Sequence, residues 1–217
     1  MSDRYSVVVA RYNENTDWLK IFDPASVVIY NKGRMLGDKY KVVSMVNKGL
    51  EVSAYLRYIV DNYERLPEVV FFCQGSIHDH VFDMHRASIF DTYINLGDHM
   101  CSQTWSVGAV DSGFEAGRLR FWNGELAGAD MDVEKFFRSH VDDDPAINLR
   151  EGFKIYSAAI FSVRRERILS RPLRYYKELL EMPALQALRP EVAHFFERSW
   201  YYIFNCHRNV LNAGKSS

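Results

Sequence analysis

The chain has 217 residues, of which 47% are hydrophobic and 25% charged, and its formal net charge is -1. This length and balance are typical of one globular domain with a substantial core. The near-neutral charge excludes a broad positive surface of the kind that holds nucleic acid by its phosphates. We therefore expect no nucleic-acid partner.

Cysteine usage and hydropathy set the expected compartment. Cys73, Cys101 and Cys206 are widely spaced, and no C-x-x-C pair occurs. A disulfide framework or a thiolate zinc site is therefore not expected. The N-terminal segment lacks the pattern of a signal peptide, and no apolar run reaches the ~18 residues of a membrane span. We expect a soluble cytoplasmic protein without a transmembrane segment.

The first third of the chain alternates between strand and helix patterns. Short β-branched runs predict strands at residues 6–10 and 25–30, separated by a short helix at 16–22. The mixed-polarity segment that follows, up to Lys48, predicts a loop. Two neighbouring strands joined by so short a helical connection predict a parallel βαβ unit.

A helix and a buried strand follow that unit. Residues 50–66 carry apolar side chains at helical spacing, and Pro67 ends the predicted helix. Residues 69–73, VVFFC, form an unbroken apolar run, which is typical of a central strand buried on both faces. The alternation predicts an α/β fold.

The rest of the chain is less regular, and we expect one domain over residues 1–210 with a polar tail at 211–217. The predicted elements are helices at 86–96, 132–141, 164–169, 172–180 and 192–205, and strands at 103–110, 118–122 and 153–163.

Polar side chains follow the VVFFC strand directly. Gln74 and Gly75 end the strand, and His78, Asp79 and His80 come next. Ligands of open α/β sheets bind just beyond the carboxyl ends of the strands, so a carboxylate and imidazoles there indicate a metal site. The alternative is a polar loop whose histidines cap backbone groups.

Several stretches carry a resemblance to known families. VVVARYNENTDWL at 7–19, VVIYNKG at 27–33 and the segments 55–75, 161–180 and 196–204 resemble an uncharacterised "domain of unknown function" family of fungi and large algal viruses. The arrangement is also similar to small glycosyltransferases of the GT-A type. This second resemblance implies a GT-A-like, Rossmann-like single domain with a mixed, mainly parallel sheet flanked by helices. It also implies transfer of a sugar from a UDP-type nucleotide sugar to a glycan or protein-linked acceptor.

The acidic metal motif of that group is altered here. His78-Asp79-His80 stands where Asp-x-Asp is usual, and a literal Asp-x-Asp occurs later at residues 130–132. The later string precedes a predicted helix, which favours helix capping for Asp132. A non-catalytic carbohydrate- or protein-binding module on the same fold is therefore an alternative.

The resemblance assigns nucleotide contacts to the end of the first strand. Arg11 could pair with phosphate oxygens, and Tyr12 could lie against the uracil ring. Asn13 and Glu14 could bond the ribose or the base. The alternative is that Asn13 and Glu14 begin the next helix.

Further nucleotide contacts are expected at the ends of the second and central strands. Asn31 and Lys32 close the second strand, and Lys32 could meet a phosphate. Gln74 and Gly75 follow the central strand at the same expected edge of the sheet. For Asn31 and Lys32 a solvated turn is the alternative.

A hard cation, Mn²⁺ or Mg²⁺, would neutralise the departing diphosphate. Asp79 is the first candidate ligand, with His78 or His80 beside it, and His207 is a further candidate that could instead be a surface histidine near a helix end.

Direct displacement also needs a carboxylate base near the acceptor hydroxyl, and Glu197 and Asp111 are the candidates. Glu197 could instead be a salt-bridge partner of Arg164 or Arg165. A metal-dependent hydrolase using His78, Asp79 and His80 is a third possibility, which no H-E-x-x-H motif supports.

Overall fold

A computed structural model of the chain describes residues 4–78, 85–97, 103–104, 129–147, 154–155 and 159–205, the two short pairs by their backbone alone. Asp79, His80, Asp111 and His207 lie outside the described residues, as do the predicted strand at 118–122 and the tail at 211–217. Within the described ranges, no helix is both long and apolar enough to cross a membrane.

The strands of the described residues form two sheets. They are β1 (Tyr5–Arg11), β2 (Val27–Asn31), β3 (Lys41–Ser44), β4 (Val69–Gln74), β5 (Gln103–Thr104), β6 (Lys154–Ile155) and β7 (Phe161–Arg164). The larger sheet has five strands in the order β3-β2-β1-β4-β7. Its strands β1 to β4 are parallel to one another, whereas β7 runs antiparallel to β4. The smaller sheet pairs β5 with β6.

Helices cover both faces of the larger sheet. The α-helices are α1 (Leu50–Asn62), α2 (Arg86–Ile89), α3 (Val133–His140), α4 (Arg165–Leu169), α5 (Leu173–Leu180) and α6 (Glu191–Asn205). A π-helix (Phe90–Asn95) continues α2, and 3-10 helices span Asp17–Ile21, Pro24–Ser26, Tyr63–Arg65 and Pro183–Gln186.

The alternation of side chains along each strand divides the core in two. Val8 and Phe72 point to the face packed by α1 and α3 to α6. Val7 and Phe71 point to the opposite face, which the 3-10 helix Asp17–Ile21 and α2 with its π-helical extension cover. Because β4 is buried on both sides, its apolar run is unbroken, as the sequence predicts.

The strand order creates a switch point beside β1. The chain goes from β1 outwards through β2 and β3, then returns through α1 to place β4 on the other side of β1. Loops leave β1 and β4 in opposite directions at such a point, which opens a crevice at the carboxyl ends of the two strands.

Two sequence predictions are wrong in detail. The segment before Lys48 contains the edge strand β3, whose central residues Val42 and Val43 are half-buried, and not only a loop. The predicted strand at 153–163 is not continuous, because Ala159 has φ +49° and residues 159–160 lie outside any strand. That left-handed backbone separates β6 from β7, since an extended strand needs negative φ.

The capping role predicted for the later Asp-x-Asp string is confirmed. Asp132 is the N-cap of α3, and its Oδ1 accepts a hydrogen bond of 2.7 Å from the backbone N–H of Lys135. The carboxylate therefore satisfies a donor that the first helical turn leaves unpaired.

Candidate functional site

Backbone hydrogen bonds keep the ends of three parallel strands side by side beyond the last ladder residues. The Gly75 N–H donates to the Ala10 carbonyl at 2.8 Å, and the Lys32 N–H donates to the Arg11 carbonyl at 2.8 Å. The Trp18 indole N–H donates to the Gly75 carbonyl at 2.9 Å, and this bond fixes the turn after β4. The residues that follow β1, β2 and β4 therefore meet at one edge of the sheet.

Arg11 holds these loops together. Its side chain is buried, and Nη1 donates to Asn31 Oδ1 at 2.7 Å and to the carbonyls of Tyr12 and Arg34, each at 3.1 Å. Nε donates to the Glu14 carbonyl at 2.9 Å. Nη2 takes part in none of these bonds, so it is the part of the guanidinium that a ligand could use.

Asn13 and Glu14 shape the loop with their side-chain oxygens and do not begin the next helix. Asn13 Oδ1 accepts the Arg34 N–H at 2.8 Å, and Glu14 Oε2 accepts the Tyr12 N–H at 2.7 Å. Gly75 lies against Glu14, since a β-carbon at Gly75 would be 2.7 Å from Glu14 Oε2. These contacts involve the Tyr12 backbone and leave its side chain 50% exposed.

Asn31 and Lys32 do not form a solvated turn. The Asn31 amide donates to the carbonyls of Gly33 and Arg34 at 3.2 and 3.0 Å. Lys32 Nζ donates to the Lys48 carbonyl and to Ser53 Oγ, each at 2.6 Å, and also to the Leu50 carbonyl. Burial lowers the pKa of Lys32 to about 8, and the charge of Glu51 opposes that shift. Lys32 thus joins the end of β2 to the start of α1.

A cavity of about 280 Å³ opens among these strand ends. Ligand pockets commonly start at about 300 Å³, so the cavity could hold part of a nucleotide. It lies at the crevice that the switch point predicts. Its walls are formed by Ala10, Arg11, Tyr12, Glu14, Lys32, Asn47, Leu50, Glu51, Gln74 and Ser76.

Five of the predicted nucleotide-contact residues therefore line the same cavity: Arg11, Tyr12, Glu14, Lys32 and Gln74. Asn13, Asn31 and Gly75 are next to them and hold the loops in place. A larger cavity of about 420 Å³ lies elsewhere, between β3, α1 and α5, and its walls hold none of the predicted site residues.

Glu51 is a wall residue that sequence reasoning missed. It lies in the first turn of α1, where an acidic side chain is ordinarily explained by the helix dipole. The signal that could have drawn attention to it is its position in the first turn of the helix that follows β3, which depends on recognising β3. Burial raises the pKa of the Glu51 carboxyl and the nearby Glu197 charge raises it further, whereas the Glu51 backbone N–H, His194 and Lys32 lower it.

Glu197 is not one of the wall residues. It is half-buried on α6, and its Oε2 is 3.5 Å from Nδ1 of His194, one turn earlier. Arg164 donates to the Leu96 carbonyl, and Arg165 contacts Glu166. The assignment of Glu197 as a base stays a prediction.

The predicted metal ligands fall mostly outside the described residues. His78 is exposed in the turn after β4, whereas the rest of that ligand set, Asp79, His80 and His207, is not described. Among the residues that are described, no cluster of three His, Cys, Asp or Glu side chains could hold a metal ion. The cation site therefore stays a prediction.

Part of the chain matches the model of a known protein family. A family model described as "Protein of unknown function (DUF3431)" matches residues 7–104, a span that runs from β1 through β4 to β5. The cavity walls lie within that span, whereas β7 and α3 to α6 lie outside it. No curated protein and no solved structure matches the chain.

Proposed function

We propose that the chain is a glycosyltransferase that takes a sugar from a UDP-type nucleotide sugar and passes it to a glycan or protein-linked hydroxyl. The observation that carries the proposal is the cavity at the carboxyl edge of the sheet, beside the β1–β4 switch point. Nucleotides bind at such crevices in open α/β sheets. The resemblance of the YNE segment after β1 and of the late segments to GT-A enzymes adds the sugar-transfer chemistry.

Each wall residue has a part in the proposed binding mode. The exposed ring of Tyr12 at the rim stacks on the uracil. Arg11 offers Nη2 to the diphosphate, and the ammonium of Lys32 adds positive charge to the cavity wall. A divalent cation, Mn²⁺ or Mg²⁺, held by Asp79 with His78, His80 or His207, would neutralise charge on the departing diphosphate.

Calorimetry with UDP tests the nucleotide site. We expect UDP to bind, and to bind more tightly with Mn²⁺ than with EDTA. Tyr12→Ala should weaken UDP binding about tenfold, since a base–aromatic stack contributes about 1–3 kcal/mol. Tyr12→Phe is the matched control, because it keeps the ring and should keep the affinity. If UDP binds neither with Mn²⁺ nor without it, the proposal is wrong.

A non-catalytic carbohydrate- or protein-binding module is the second candidate, and a specific observation favours it. Arg11 Nε and Nη1 and Lys32 Nζ all donate to protein oxygens, which is a structural use of both cations. Asp79→Ala separates the candidates. The enzyme requires a large loss of Mn²⁺-dependent UDP affinity, whereas a module that does not use the metal keeps its ligand affinity.

A further inference from the structure

Glu51 combines access to the cavity with an unusual electrostatic setting. Its side chain forms part of the cavity wall, together with Arg11, Glu14 and Lys32. It is carried by the first turn of α1, a helix of 13 residues that packs against β1 and α6. A side chain on so firmly packed an element keeps a fixed position relative to the strand ends, as a reacting group requires.

The charges that face Glu51 come from three elements. Glu197 and His194 approach from α6, Lys32 approaches from the end of β2, and Arg11 and Glu14 share the cavity from the β1 loop. Burial and the Glu197 charge both disfavour the ionised form of Glu51, so its pKa is raised, although His194 and Lys32 oppose the shift. A carboxyl group whose pKa lies closer to neutrality than usual is a better proton acceptor when ionised.

Two carboxyl groups that influence each other in this way commonly take different roles. Glu51 lines the cavity, whereas Glu197 is not one of its wall residues and has its carboxylate 3.5 Å from the imidazole of His194. Glu51 can therefore touch a ligand, and the charge of Glu197 acts on Glu51. In this arrangement Glu51 is the carboxylate that can react, and Glu197 is the carboxylate that adjusts the proton affinity of Glu51.

We propose that Glu51 is the general base of the transfer and that Glu197 is a positioning residue which acts through it. The inference rests on the proposed glycosyltransferase function. The acceptor oxygen forms a bond to the anomeric carbon as its own O–H bond breaks, and the proton goes to a Glu51 carboxylate oxygen. The bond from the anomeric carbon to the diphosphate breaks, and its electron pair leaves with the diphosphate.

Glu51→Ala tests the assignment in the full-length chain with Mn²⁺. UDP-glucose, UDP-galactose and UDP-N-acetylglucosamine serve as donors, water is the acceptor, and release of UDP is measured. We expect the variant to bind UDP within about threefold of the wild type while UDP release falls about 100-fold or more, the usual contribution of a general base. Added formate should restore part of the lost rate, because a small carboxylate can occupy the vacated space.

Two further variants complete the test. Glu64→Ala removes an exposed glutamate from the 3-10 turn after α1 and should change neither the rate nor the response to formate. The wild-type rate should fall as the pH decreases through the pKa of Glu51, since a base must be ionised. Glu197→Gln removes the like charge, so this acid limb should move to lower pH, a shift that a purely structural role for Glu197 would not cause.

The outcomes distinguish this inference from the proposed function. No binding of UDP by the wild type overturns the nucleotide site and the base together. UDP binding without UDP release from any of the three donors overturns the base and leaves the nucleotide site. A Glu51→Ala rate within about threefold of the wild type, well short of the usual effect of losing a base, also overturns the assignment. So does an acid limb that Glu197→Gln leaves unmoved.

Discussion

Gly33 lies where the loop after β2 passes the loop after β1. A β-carbon at position 33 would stand 1.7 Å from the Tyr12 carbonyl oxygen and 2.5 Å from Asn13 Oδ1. Because the nearest atom belongs to the backbone, it cannot rotate away. Gly33→Ala should therefore lower the free energy of unfolding by about 2–3 kcal/mol, as overpacking in a tight contact does. Urea denaturation measures this change.

Gly37→Ala is the matched control for Gly33→Ala. A β-carbon at Gly37 meets no atom within 4 Å, so the substitution should be neutral or raise stability by about 0.4–1 kcal/mol. If both variants unfold at the same urea concentration, the close approach of the two loops is not what position 33 requires. The sequence alone cannot tell which of the two glycines a neighbouring backbone touches.

Lys32 connects two elements, the end of β2 and the first turn of α1. Its ammonium donates to the Lys48 carbonyl just before α1, and to the Leu50 carbonyl and Ser53 Oγ in the first turn of α1. Lys32→Met removes the ammonium from all three acceptors, while Ser53 Oγ still donates to the two carbonyls. Because hydrogen bonds to a charged group are lost, the free energy of unfolding at pH 7 should fall by about 1–3 kcal/mol. Lys20→Met, at an exposed lysine of the first 3-10 helix, is the control and should stay within about 0.5 kcal/mol of the wild type.

The difference in stability between wild type and Lys32→Met should depend on pH with a definite sign. The pKa of Lys32 is about 8 in the folded protein and about 10.4 in an unfolded chain. Between these values the unfolded state binds more protons, so this group makes the folded state more stable as the pH rises. The stability gap between wild type and Lys32→Met should therefore widen from pH 8 to pH 10. A gap that narrows there would contradict a buried ammonium at this position.

The whole molecule depends on pairing between distant parts of the chain. β4 pairs with β7, and α1 packs against α5 and α6, although β7, α5 and α6 follow residue 160. A fragment of residues 1–104, which contains the region matched by the family model, should leave one edge of β4 unpaired. The apolar cluster that contains Leu56 and Phe72 should also become exposed, because the helices α3 to α6 that cover it are missing.

We expect the 1–104 fragment to lack a cooperative urea transition and a native near-ultraviolet circular dichroism signal. Addition of a separate 105–217 fragment should restore both signals, because it supplies β7 and helices α3 to α6. A cooperative transition of the 1–104 fragment alone would show instead that the first four strands form an independent unit.

The amino-acid sequence by itself determined the alternation of strands and helices, the buried central strand and the cap at Asp132. Each of these depends on periodicity or chemistry within a few residues, which a linear reading can recognise. Short edge strands such as β3 carry a weaker local signal, because only one of their edges is paired and their side chains are half-buried.

Only the tertiary structure decided how the site is built. The strand order brings Arg11, Lys32 and Gln74 to one cavity, turns most of the Arg11 guanidinium inward, and adds Glu51 from the start of α1. Strand order and burial arise from contacts between residues far apart in the chain. No local pattern records them, since the same short segments could pair in several ways.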